Sequence, residues 1–119
     1  METNHTNYCF IAPILPEGIE LMKKWNEENI VNDKEHDEVF MAAGITREQV
    51  WIQHMPQQQN KEFAVACYET SDPEQSFKVL TTSDEPWAAK FREHLKKAHG
   101  LDIAQTSIKL NELLIDWKK

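Results

Sequence analysis

Apolar positions along this chain switch between strand-like and helical spacing. The run Tyr8–Leu15 is apolar on both parities, as an inner strand covered above and below would be. Pro13 must fall near its end, because proline cannot donate to a ladder in mid-sheet. Pro16-Glu17-Gly18 then turns into a helical stretch from Ile19 to Ala43. Within it Ile19, Met22 and Trp25, and later His36, Val39, Phe40 and Ala43, recur at helical spacing. Asn29–Asp33 interrupts the pattern with β-branched Ile30-Val31 and a capping Asn32-Asp33, which predicts two helical pieces or a kink. Gly44 supplies the left-handed residue that ends the second piece.

Ile45–Gln49 is expected to turn into a second strand, Val50–Met55. Pro56–Lys61 reads as a polar hairpin loop and Phe63–Glu69 as a third strand. Ala64 and Ala66 are small, so something bulky should pack close over that side. Ser71–Gln75 is a helix start: Asp72 caps, Pro73 takes the first position and Gln75 follows the cap by three residues. That helix should end near Leu80, with a restart at Ser83–Pro86. Trp87, Ala88, Phe91, Leu95 and Ala98 then form an apolar stripe that Gly100 closes. Leu101–Lys109 is a connector and Leu110–Trp117 a closing strand.

The resulting order, β-α-β-β-α-β, predicts an α+β, ferredoxin-like domain over 1–119, with Met1–Thr6 a frayed tail. It would carry a four-stranded antiparallel sheet with its helices on one face. Neither parity of Val50–Met55 or of Leu110–Trp117 is cleanly polar, so the uncovered face should be apolar. A homodimer whose sheets face each other would hide it.

Composition narrows the partners. At 119 residues the chain fits one domain, and a net charge of −7 with no basic cluster beyond Lys96-Lys97 and Lys118-Lys119 disfavours nucleic acid and anionic membrane surfaces. No apolar run approaches the ~18 residues of a membrane span. Met1–Asn7 lacks the basic start and apolar stretch of a signal peptide, so a cytoplasmic location is expected. Cys9 and Cys67 fall in predicted strands and read as small buried hydrophobes, since disulfides are disfavoured in the cytosol. No C-x-x-C or H-x-x-x-H pattern suggests a metal site, and with 3 glycines there is little room for a phosphate loop. No metal, redox or nucleotide cofactor is expected.

The element order and the two-sided strands resemble the dimeric α+β barrel superfamily, which includes the antibiotic-biosynthesis-monooxygenase-like and EthD-like proteins. Within it, Cys9-Phe10-Ile11-Ala12-Pro13, Gly44 through Gln53, Asp84-Glu85-Pro86-Trp87 and Asp116-Trp117 look like a small bacterial family of uncharacterised function. The resemblance implies a ferredoxin-like homodimer. Superfamily members range over cofactor-free oxygenation, isomerisation, dechlorination and haem degradation, so shape alone carries no single reaction across.

Candidate chemistry is sparse. His36 shares a helical stripe with Val39 and Phe40 and should reach the layer between helix and sheet. It is a candidate proton carrier, against the alternative of a satisfied core histidine. His54, near a strand end, is the second catalytic candidate, against a rim histidine bonded to a loop. Tyr8, Trp51, Trp87 and Phe91 are candidates for an aromatic ligand pocket, with plain core packing as the competing account. Gln53 would orient a ligand carbonyl if buried. Glu112 and Asp116 are a possible pair with His54 or Arg92, or simply edge-strand charge. His5, His94 and His99 are assigned no role. Two functions follow: a small-molecule-binding or accessory module, or a cofactor-free, monooxygenase- or isomerase-like enzyme on a small aromatic or polyketide-like substrate. An RNA-binding domain of the same element order is disfavoured by the acidity.

Overall fold

Three strands pair into one antiparallel sheet: β1 (Thr6–Pro13), β2 (Ile45–Met55) and β3 (Lys61–Thr70), with β3 between the other two. The computed structural model describes residues 6–105 and 111–119. Helices α1 (Gly18–Asn29) and α2 (Lys34–Ala42) connect β1 to β2, while α3 (Pro73–Thr82) and α4 (Pro86–His99) follow β3. The protein is thus an α+β fold. Among the described residues no helix is long and apolar enough to cross a membrane.

Local chemistry sets most of the boundaries. The Asp33 carboxylate accepts from the His36 N–H at 2.9 Å and opens α2 after the interruption at Ile30–Asn32. Asp72 caps α3 through the Gln75 N–H at 3.2 Å, with Pro73 in the first position. Gly44 sits at φ +74°, where a side chain would be strained, and turns α2 directly into β2. Ser76, fully buried, donates to the Ala43 carbonyl at 2.6 Å and lies 2.7 Å from the Thr70 hydroxyl. One hydrogen-bonded knot therefore joins the end of α2, the end of β3 and the first turn of α3.

Several expectations are corrected. Among the described residues no fourth strand forms: 111–119 carries no regular structure, Leu110 lies outside the described residues, and Leu113, Leu114, Ile115 and Trp117 are 75–89 % exposed. Among the described residues β1 is therefore an edge strand rather than an inner one, and Ile11 is 67 % exposed. β2 starts at Ile45 rather than Val50. Its first residues look like a turn because they are polar, but an edge strand tolerates polar side chains. A bulge between Ile45 and Arg47 absorbs Thr46, whose hydroxyl donates to the Glu69 carbonyl at 3.2 Å. The hairpin after β2 holds a short 3₁₀ turn, Pro56–Gln58, and left-handed Gln59 and Asn60. The frayed tail expected over Met1–Thr6 is corrected at Thr6, which opens β1 opposite Thr70; its Met1–His5 part, like the connector and strand over 106–110, lies outside the described residues.

Cys9 and Cys67 are joined by a disulfide and are not free buried hydrophobes. They are direct partners in the β1–β3 register, with Cα atoms 4.1 Å apart. The Cys9 N–H points away from β3 and donates to Asn111 Oδ1 at 3.3 Å, so the pair is a non-hydrogen-bonded one, where antiparallel strands come closest. Pairing of this kind depends on register across 58 residues of sequence, which composition does not reveal.

The sheet's two faces differ. One parity, carrying Tyr8, Phe10, Ala12, Ala64, Ala66, Tyr68 and Thr70, lies under the helices and joins a core with Phe40, Leu80, Trp87, Phe91 and Leu95. The α4 stripe expected from the sequence is buried throughout. The other parity carries the disulfide, with Ile11, Val65 and Trp51 in one row across the three strands, and it is open to solvent.

Candidate functional site

The central strand fixes the site. Where β3 passes beneath the helices its inward positions are Ala64 and Ala66, with Ala12 and Phe10 beside them on β1 and Ile52 and Val50 on β2. Methyl groups in the middle of the floor leave a gap that the helices do not fill. The result is a cavity of about 380 Å³ between the sheet and helices α1 and α4. Its apolar walls include Met22, Trp25 and Ile30 from α1 and Phe91 and Leu95 from α4. Val50, 49 % exposed, stands at the side where the cavity meets solvent. The small alanines therefore adjoin space, not the bulky neighbour expected.

Polar groups converge at two ends. At one, Glu48 of β2 and Tyr68 of β3 are cross-strand partners on the inward parity. Burial, reinforced by the Glu48 charge, pushes the Tyr68 phenol well above its usual range, so it stays protonated and serves as a hydrogen-bond donor. Tyr8 stacks on Tyr68 with ring centres 5.4 Å apart. Its pKa is raised by the same causes, and its buried hydroxyl has no hydrogen-bond partner among the described residues. His36 stands behind Glu48, with Nε2 3.4 Å from Oε1 and Nδ1 2.9 Å from the Asp37 carboxylate. At 3.4 Å the Glu48 contact is an ion pair more than a formed hydrogen bond. Burial lowers the His36 pKa, but its interactions with Glu48 and Asp37 outweigh that and raise it.

At the other end stand His94 and His99, their rings 6.0 Å apart. His94 stacks face to face on Trp25, centres 4.7 Å apart at 9°, and burial with some help from His99 pushes its pKa down to about 4. Burial also lowers His99, partly offset by its bond to the Pro13 carbonyl at 2.8 Å. A carbonyl only accepts, so His99 Nδ1 carries the proton. The neutral ring's Nε2 is then an unprotonated acceptor. Near pH 7 the cavity thus holds neutral imidazoles opposite a carboxylate, a set able to bind a donor or to accept a proton.

Sequence candidates are dispersed by this arrangement. Phe91 lines the cavity, as expected. Trp87 is core, 1 % exposed, its indole N–H donating to the Asn29 carbonyl at 2.8 Å. Tyr8 lies next to the site but not in its wall. His36 reaches it only through Glu48. Trp51 and Gln53 have the opposite parity and face solvent, with the Gln53 amide donating to the His54 carbonyl at 3.0 Å. His54 is exposed at the hairpin, 2.7 Å from its cross-strand partner Glu62. Arg92 holds the Leu80 and Ser83 carbonyls at the α3–α4 junction, and Glu112 and Asp116 are exposed. Glu48, Tyr68, His94 and His99 were missed. The available signal was that Phe91, His94, Leu95 and Ala98 share one helical face. Among the described residues no group of three or more His, Cys, Asp or Glu could hold a metal ion. Comparison of the chain with protein families, with curated proteins and with solved structures finds no match.

Proposed function

We propose that the protein is a small-molecule-binding module that takes a flat, largely apolar ligand into the cavity between the sheet and helices α1 and α4. The observation that carries this is the alanine floor. A cavity of about 380 Å³ with aromatic walls suits a ligand of two or three fused rings, with Glu48 and His99 meeting its polar edge. Trp25 in the wall makes binding visible. Titration with 2-naphthol is expected to quench Trp25 fluorescence with a micromolar Kd, and Ala66→Leu, which fills the floor, to weaken binding at least tenfold. A protein that binds no bicyclic aromatic, or binds it equally well with Ala66→Leu, does not use this cavity.

A second reading, a cofactor-free enzyme on a small aromatic or polyketide-like substrate, is favoured by the neutral His94 and His99 facing the carboxylate. Its proton carrier would be His99 or His94 rather than His36 or His54. Turnover lost with His99→Phe but kept with His54→Ala would select it.

The assembly reading is a homodimer formed through the open sheet faces, within the dimeric α+β barrel superfamily that the sequence resembles. The order β1-β3-β2 supports it, because a further strand beside β1 would complete the ferredoxin-like order. So does the apolar row Ile11–Val65–Trp51, whose two ends, Ile11 and Trp51, are exposed. The cytoplasmic location expected from the sequence stands in tension with the Cys9–Cys67 bond, since persistent disulfides belong to oxidising compartments.

A further inference from the structure

The polar groups at the two ends of the chamber can be sorted by whether each gives or takes a hydrogen bond. Glu48 brings a carboxylate, which has lone pairs and no proton. The Tyr68 hydroxyl beside it has one proton, and that proton is directed to the Glu48 carboxylate. Toward a guest it too offers lone pairs. Neither His36 nor Tyr8 supplies a donor here, because neither belongs to the wall. At the far end His99 gives its one N–H to the Pro13 carbonyl at 2.8 Å, which leaves Nε2 to accept. His94, a neutral imidazole, can match either kind of partner. The remaining donors of the wall, Lys23, Asn26 and the Trp25 indole, come from α1. That helix roofs the chamber and meets the face of a flat guest rather than its ends, and Lys23 and Asn26 are exposed to water.

The register shows how far apart the two acceptors are. Glu48 pairs with Tyr68 across β2–β3, and Pro13, which anchors His99, pairs with Phe63 across β1–β3. Tyr68 and Phe63 stand five positions apart on β3, roughly 17 Å of strand. The two side chains shorten that gap but do not close it. One hydroxyl can therefore meet Glu48 or His99, not both.

We infer that the ligand of this chamber is a flat aromatic with a hydroxyl toward each end, one donating to Glu48 and the other to His99, and that the same body with ether or carbonyl oxygens in those places is rejected. The inference rests on the ligand-binding reading above and names the chemistry of its ligand. A guest that brings only acceptors strips both groups of water and returns no bond, which is how a polar site built for a hydroxyl excludes the analogue lacking it. An aromatic hydroxyl is the strongest uncharged donor that a thin ring system can carry.

The test needs only the wild-type protein and isothermal titration calorimetry. Of three probes with one ring system, 2,6-dihydroxynaphthalene should bind at least tenfold tighter than 2-naphthol. It should bind at least a hundredfold tighter than 2,6-dimethoxynaphthalene, which keeps the oxygens and loses both protons. His99→Phe should bring the diol to within about threefold of 2-naphthol, because the second hydroxyl then has nothing to meet. A dimethoxy compound that binds as well as the diol overturns the inference. So does 1,4-naphthoquinone binding more tightly than the diol. If either result comes with all probes weakened by Ala66→Leu, the cavity reading survives and only the choice of ligand fails. Absence of binding by every probe, or binding indifferent to Ala66→Leu, overturns both.

Discussion

The two faces of one sheet behave as two different materials. Tyr8, Ala66 and Tyr68 are buried by the helices, while their immediate neighbours along the same strands, Cys9, Val65 and Cys67, face outward with Ile11 and Trp51. The helix-covered side is held by many shallow interactions and keeps one deliberate gap above Ala64 and Ala66. The open side is held by a single covalent bond across β1 and β3. A strand's period of two explains how both fit in one sequence, and also why the segments read as apolar throughout: each parity has an apolar task of a different kind.

The contrast is most sharply tested with tryptophans. Trp87→Ala should destabilise the monomer by about 3–5 kcal/mol in urea unfolding, as loss of a fully buried aromatic does. Trp51→Ala, at a half-exposed site, should change it by less than about 1 kcal/mol. Similar losses from both would mean the open face is covered within the monomer. The disulfide comes next. Cys9→Ala/Cys67→Ala, or reduction, should lower stability by about 2–4 kcal/mol through the freed 58-residue loop, with far-UV circular dichroism unchanged.

Acid should act on the covered side. His94 has a folded pKa of about 4 against an ordinary 6.5, so the unfolded chain binds the proton first as pH falls. The stability its neutrality confers is fully present above pH 6.5 and is lost between pH 6.5 and pH 4, by up to about 3 kcal/mol. His94→Phe should flatten that limb of the urea-stability profile. His36, whose pKa is raised, acts in the opposite sense: the stability it contributes is present at low pH and is lost as pH rises through its folded pKa.

Helix punctuation was legible in the sequence because it is local: Asp33, Asp72, Gly44 and the Trp87–Ala98 stripe each act within a turn or two of their position. What escaped is set by partners distant in the chain. The disulfide depends on the β1–β3 register. The early start of β2 depends on a bulge at Thr46 against Glu69. The closing strand has a fitting pattern at Leu110–Trp117, yet 111–117 carries no regular structure, because a strand needs a paired neighbour that local pattern does not supply. In the site, Phe91 was readable from its stripe, whereas His94 and His99 were assigned no role because polarity was given more weight than their place beside Leu95 and Ala98. Trp51 was assigned to a pocket that parity forbids.

The seam between α1 and α4 carries a consequence for any guest molecule. At one end a Cβ on Gly18 would stand 2.7 Å from the Ala98 carbonyl and 2.6 Å from Ile14, and the Leu15 N–H bonds that same carbonyl at 2.9 Å. At the other end the Trp87 indole grips Asn29. The two helices that roof the chamber are thus bolted at both ends, like the jaws of a slot gauge. On the proposed ligand-binding function such a chamber would sort by thickness rather than by length: a thin plate would slide in and protrude past Val50, while a rounded body of the same mass would be turned away at the sill.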